Sequence, residues 1–118
     1  MTYYDLAVIP VPKTKLAAYR KMVKQGAEAW KRCGATAYLE VLGDGIKPGK
    51  VTSFPQAVKL KPGETVVCAM LVFENTAARN KAWKLIMKES FMKNFDPKTV
   101  PFDGKRMFFG GFKPIGGF

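Results

Sequence analysis

The sequence predicts an α+β fold in which two helices cover one face of an antiparallel sheet. Three observations predict it. Two segments carry apolar residues at helical spacing, set between segments rich in β-branched and aromatic residues. Those extended segments lack the clean alternation of strands with one wet face. At 118 residues, 47% of them hydrophobic, the chain is long enough for one domain over residues 1–118 and too apolar for disorder.

The first strand is YYDLAVIPV, Tyr3–Val11, ending at Pro12. Pro12 and Thr14 suit a helix start and Gly34 suits its stop. Between them Leu16, Tyr19, Val23, Ala27 and Trp30 recur at three and four residues and make one apolar stripe. Lys31 and Arg32 in the last turn complement the helix dipole. ATAYLEVLG, Ala35–Gly43, reads as the second strand. After a turn-rich stretch with Gly43, Gly45, Pro48 and Gly49, VTSFPQAVKL reads as an extra strand that Pro55 confines to a sheet edge. Pro62-Gly63 in KPGE fits a type II turn into TVVCAMLVF, Thr65–Phe73. Asn75 or Thr76 caps a second helix, AARNKAWKLIMKE, whose inward side holds Ala82, Trp83, Ile86 and Met87. An irregular SFMKNFDPKTV leads to PFDGKRMFFGGF, Pro101–Phe112, as the last strand. The order is βαββαβ, a ferredoxin-like unit with both helices on one face and an extra strand in its central hairpin.

The helices can cover only one face, yet the strands are apolar on both. VVCAMLVF is apolar at eight consecutive positions, and LAVI and MFF behave alike. The simplest cover for the second face is another copy of the same sheet about a two-fold axis. Each Val, Leu, Met or Phe so buried contributes roughly 1.5–3 kcal/mol. About eight of them outweigh most values of the association cost, roughly 4–15 kcal/mol. The expected dimer-face residues are Met107, Phe108, Phe109 and Phe112, with an enclosed or half-enclosed space between sheet and helices.

GKVTSFPQAVKLKPGETVV and VPFDGKRMFFGGF, with VPVPKTKLAAYRKM near the start and GATAYLEVLGD in the middle, resemble the YbaA-like family of uncharacterised bacterial proteins over nearly the whole chain. The resemblance implies a ferredoxin-like fold of the dimeric α/β-barrel type and implies no established activity. Two segments depart from the pattern. Glu89-Ser90-Phe91-Met92 stands where the family commonly carries Asp-Pro-Arg-Met, and the tail KPIGGF is basic and apolar where relatives tend to end acidic.

The absence of histidine removes Ser-His-Asp and Cys-His nucleophiles, His-ligated zinc and haem held by a proximal histidine. No metal and no cofactor are expected. Cys33, at the end of the first helix, and Cys68, inside an apolar strand, read as packing residues. GDGIKPGKVTS imitates a phosphate-binding loop, but Asp44 stands at its first required glycine and Val51 where Ser or Thr belongs. KRMFFGGF imitates an RNA-binding ribonucleoprotein motif, with glycine and aromatics in the wrong order and on the fourth strand rather than the third.

Lys and Arg number 20 against 9 Asp and Glu, a formal net charge of +11. The excess raises polyanions as partners, nucleic acid above all, but it is spread over every element, so a solvated basic surface is the stronger expectation. The N-terminus lacks the pattern of a signal peptide, and no apolar run approaches the ~20 residues of a membrane helix. A cytoplasmic protein without a membrane partner is expected.

One polar group remains as candidate pocket lining: Tyr38, Glu40, Thr52, Ser53, Asp103, Lys105 and Arg106. Glu40 and the Lys105/Arg106 pair lie on strands expected to approach each other, so a tuned carboxylate–cation site or a structural ion pair follows. Asp103-Gly104 is also a plain turn signal. Trp30 and Trp83 belong to the core before any pocket. The leading function is a homodimer that binds a small, mostly apolar molecule, with cofactor-independent chemistry as an extension by analogy of fold. An RNA- or polyanion-binding protein and a structural or regulatory dimer without a pocket are the alternatives.

Overall fold

The computed structural model describes all of Met1–Phe118. Strand β1 runs over Tyr3–Pro12, followed by a 3-10 turn at Lys13–Lys15 and helix α1 at Leu16–Cys33. Strand β2 (Ala37–Leu42), the one-turn helix α2 (Phe54–Ala57) and strand β3 (Glu64–Phe73) come next. Helix α3 (Thr76–Ile86), the short α4 (Ser90–Lys93) and strand β4 (Phe108–Phe112) complete the chain. The sheet is antiparallel in the order β2-β3-β1-β4, the ferredoxin-like arrangement.

Local chemistry explains the boundaries. Helix α1 stops where Gly34 takes a left-handed φ of 111°, which an L side chain resists. Of the expected stripe, Tyr19 and Trp30 are buried, joined by Gly26, Ala29 and Cys33, while Leu16, Val23 and Ala27 are half-buried. The Asn75 side chain caps α3 by accepting from the Ala78 N–H at 2.8 Å. The turn before β3 closes with the Glu64 N–H donating to the Lys61 carbonyl at 3.1 Å. On α3, Ala82 and Ile86 are fully buried, but the helix ends at Ile86 and Met87 points to solvent instead of inward.

The extra strand expected at VTSFPQAVKL is not a strand. Ser53 accepts from the Gln56 N–H at 3.2 Å and Gln56 Oε1 accepts from the Gly49 N–H at 2.8 Å, winding Phe54–Ala57 into α2. Ser-x-x-Gln is a capping-box spacing, and Pro55 in the first helical turn has no N–H to lose. These local bonds outweigh the β-branched composition of the segment. The last strand is also shorter than Pro101–Phe112: Asp103 accepts from the Lys105 N–H at 2.9 Å, so a turn occupies the segment before Phe108.

The pleat separates two faces. Towards α1 and α3 point Asp5, Ala7, Ile9 and Val11 of β1 with Leu71, Ala69 and Val67 of β3, packed under Tyr19 and Trp30. Trp30 meets Phe73 and Trp83 edge-on, with ring centroids 6.0 and 4.9 Å apart. On the far face Leu6, Met70 and Leu39 form one row and Val8, Cys68 and Val41 the next. This face stands open: Leu39 is 55% exposed, Val41 51%, Phe108 46% and Phe112 52%. One end of it is closed by the chain itself, where Pro10 and Val66 are buried together with Pro55 and Val58 of the segment around α2.

Phe108 and Phe112 pair with Val8 and Tyr4 on the open face. Met107 and Phe109, grouped with them in the expected dimer face, lie on the helix side. Phe109 pairs with Ala7, and Met107 packs against the cluster of Ile9, Val11, Tyr19 and Val67. Alternation along five residues of β4 enforces the split. Gly111 is a glycine because the Tyr3 phenol lies where a Cβ would stand.

Candidate functional site

Strand β2 turns Tyr38 and Glu40 to the helix side, two residues apart on one face. The Tyr38 hydroxyl donates to Glu40 Oε2, and the Tyr19 hydroxyl of α1 donates to Glu40 Oε1. One carboxylate thus holds two phenols and makes no ion pair. Burial, reinforced by the bond to Glu40 and its charge, pushes both phenols well above the usual tyrosine range. They are neutral hydrogen-bond donors across the physiological range.

The row that crosses the sheet at this level reads Glu40, Ala69, Ala7, Phe109. Two alanines in the middle leave space between sheet and helices, and a cavity of about 200 Å³ opens there. Trp30 and Trp83 form its roof, while Phe109, Tyr38 and Glu40 lie at its sides. Asp5 closes one end. It is buried, accepts from Trp83 Nε1 at 2.9 Å and pairs with Arg79 Nε at 3.1 Å. The Arg79 guanidinium also lies 5.4 Å from the Trp83 ring centroid and 5.6 Å from that of Tyr3. Asp5 is thereby compensated; Glu40 keeps a neutral shell.

The other sequence-derived candidates gather elsewhere. Arg106 binds Glu64 through two nitrogens at 2.6 and 2.7 Å, Asp103 at 2.8 Å, and the carbonyls of Lys59 and Val58 at 3.0 and 3.3 Å. The guanidinium holds the Glu64 and Asp103 carboxyls below the usual range. Glu40 and Arg106 do not meet, correcting the expectation that they share a site. Arg106 fastens the segment before β3 to the turn before β4, and Lys105 extends its ammonium from that turn without an acidic partner. Ser53 caps α2 and Thr52 is exposed in the preceding loop, so neither reaches Glu40.

Both thiols are pushed above their usual range by burial, Cys33 at the end of α1 and Cys68 on β3, which keeps them protonated and unreactive. Glu89, in the segment that departs from the family pattern, pairs with Arg32 of α1 at 2.6 Å. Asp5, Tyr19, Glu64 and Arg79 join these sites without being among the sequence-derived candidates. A lone aspartate inside YYDLAVIPV was a visible signal, because an acid in an apolar strand requires a partner.

Residues 2–104 match the model of a family described as protein of unknown function, DUF1428. The chain belongs to this family. It is 38% identical over 115 residues to the uncharacterized protein YbaA of Escherichia coli strain K12, covering 98% of this chain and 97% of the relative. The same protein in Shigella flexneri is equally similar, 38% over 115 residues with the same coverage of 98% and 97%. These matches bear out the resemblance drawn from the sequence.

Solved structures agree on the fold. The Agrobacterium tumefaciens protein Atu4242 superposes with a TM-score of 0.59 at 15% identity, covering 95% of this chain and 92% of that one. Rv0793 from Mycobacterium tuberculosis gives a TM-score of 0.57 at 9% identity, covering 99% of this chain and 98% of that one. An uncharacterized NIPSNAP domain protein from Burkholderia xenovorans gives 0.55 at 11%, covering 95% and 93%. Identities this low speak for the fold alone. No helix of the chain is long and apolar enough to cross a membrane.

Proposed function

We propose that this chain works in the cytoplasm as a homodimer, joined through the open sheet face, that binds a small, mostly apolar molecule between sheet and helices. One observation carries the ligand reading. The Glu40–Ala69–Ala7–Phe109 row leaves an apolar cavity of about 200 Å³ beside a carboxylate that makes no ion pair. That is below the roughly 300–1,000 Å³ usual for drug-sized ligands, so the occupant is small. Its apolar part rests on the two alanines under Trp30 and Trp83, and one polar group faces Glu40 and Tyr38. A carboxylate flanked by neutral phenols suits cofactor-independent proton transfer, with Glu40 taking the proton and a phenol facing the oxygen that gains charge.

The dimer reading rests on the open face: its central rows carry no charge, and Leu39, Val41, Phe108 and Phe112 stand uncovered. So large an apolar surface on a monomer is uncommon. Native mass spectrometry of the purified protein tests both readings at once. The expected spectrum shows a dimer carrying an additional small mass, which Ala69→Leu removes without dissociating the dimer. A monomer at micromolar concentration overturns the dimer reading. An unladen chain that takes up no small apolar compound from a screening set overturns the ligand reading.

A further inference from the structure

A larger cavity lies away from Glu40. It measures about 460 Å³ and forms where the 3-10 turn after β1, the start of β3 and the loop before β4 meet. Three lysines line it: Lys15 from the 3-10 turn, and Lys98 and Lys105 from the loop before β4. None has an acidic partner, because every ion pair in the chain is made by Arg32, Arg79 or Arg106.

The two carboxylates on the wall, Glu64 and Asp103, are both engaged by Arg106. Asp96, close by in the loop, turns back to accept from the Lys98 N–H at 2.9 Å. The three lysines therefore share one concave surface with no carboxylate of the protein's own left to pair with them. Mutual repulsion at such a site is relieved by a bound anion.

The wall is not only basic. Phe95 and Phe102 contribute two rings, with centroids 6.3 Å apart and planes tilted by 43°. They give an apolar flank on which a planar group can rest while its charged end meets the ammoniums. We infer that this cleft binds a phosphate ester carrying a ring, with Lys15, Lys98 and Lys105 on the phosphate and Phe95 and Phe102 against the ring. Lysine serves a phosphate here as a point charge on a flexible stem, which suits a cleft whose three cations sit on irregular chain. The site is separate from the Glu40 cavity and stands whether or not that cavity holds a ligand.

Calorimetric titration of the intact protein with adenosine 5′-monophosphate, inorganic pyrophosphate and a short single-stranded RNA tests the assignment. The mononucleotide is expected to bind, weakening as salt is raised, and Lys98→Gln with Lys105→Gln is expected to weaken it about tenfold. Lys84→Gln with Lys88→Gln, on and just after α3, removes the same charge elsewhere and is expected to change affinity less than about twofold. Phe95→Ala is expected to weaken the mononucleotide about threefold while leaving pyrophosphate unchanged, which isolates the ring contact.

RNA binding with the same dependence on Lys98 and Lys105, but no mononucleotide binding, keeps the phosphate assignment and makes a polynucleotide its source. No binding of any probe at millimolar concentration overturns the inference. Equal loss from the two lysine pairs overturns it as well, since general surface charge then accounts for the binding.

Discussion

Glu40 and Glu64 are both half-buried glutamates on neighbouring strands, yet they are held in opposite ways. Glu64 is clasped by two nitrogens of Arg106 and by the Lys61 N–H at 2.8 Å. Glu40 has only the Tyr19 and Tyr38 hydroxyls. The first is a fully compensated charge that ties two loops to the sheet. The second keeps a soft, neutral shell at the edge of a cavity. Residue type does not separate a structural carboxylate from a candidate functional one; the charge of what it touches does.

The largest expected effect comes from breaking the compensated one. Arg106→Met strands Glu64 in a half-buried setting and is expected to lower stability by about 3 kcal/mol in urea denaturation. Replacing both partners, Arg106→Met with Glu64→Leu, is expected to recover most of that loss, which separates a stranded charge from lost packing. A double variant as unstable as the single one would show that the arginine acts through its bonds to Lys59 and Val58 instead.

The cavity beside Glu40 gives the next effect. Ala69→Leu is expected to cost about 1–3 kcal/mol, because the added methylenes must displace the Trp30–Trp83 roof. A gain in stability would mean that the space is simply underfilled.

Acid sharpens the comparison further. Arg106 lowers the folded-state pKa of Glu64, so its contribution is complete above the ordinary carboxylate value of about 4.3 and fades as pH falls through the lower folded value. Stability measured from about pH 5 downward is expected to decline, and Arg106→Met is expected to flatten that decline.

Smallest is the effect at Glu40 itself. Glu40→Gln still accepts one phenol and is expected to cost only about 1 kcal/mol. At high pH the phenols report directly. Because folding raises the pKa of Tyr19 and Tyr38, the stability tied to them is present below the free phenol value of about 10 and is lost as pH rises beyond it. In ring-carbon NMR the two tyrosines are expected to remain un-ionised at about pH 11, where a free phenol has largely ionised. Ionisation of Tyr38 at the ordinary value would dissolve the neutral shell drawn around Glu40.

How far these features were legible depends on their range along the chain. The capping of α3 by Asn75, the stop at Gly34 and the Pro62-Gly63 turn involve neighbours a few residues apart, and each was readable. So was the apolar excess on both sides of the sheet. The Ser53-to-Gln56 capping box is equally local but is masked by surrounding residues that favour strands. The pairing of Glu40 with Tyr19 across 21 positions, and of Arg106 with Glu64 across 42, left no comparable trace. Nor did the alignment of Ala7 with Ala69, which opens the cavity.

By itself the sequence determined the order of the four sheet strands and the two long helices, the single-sided placement of those helices and the greasiness of both sheet faces. Periodicity, caps and turn residues act over one or two turns of chain, and composition does not depend on arrangement. Tertiary structure alone decided which acid met which partner, where two alanines came into line and which lysines share a cleft. Those outcomes turn on strand register and loop path, where a slip of one residue sends a side chain to the opposite face.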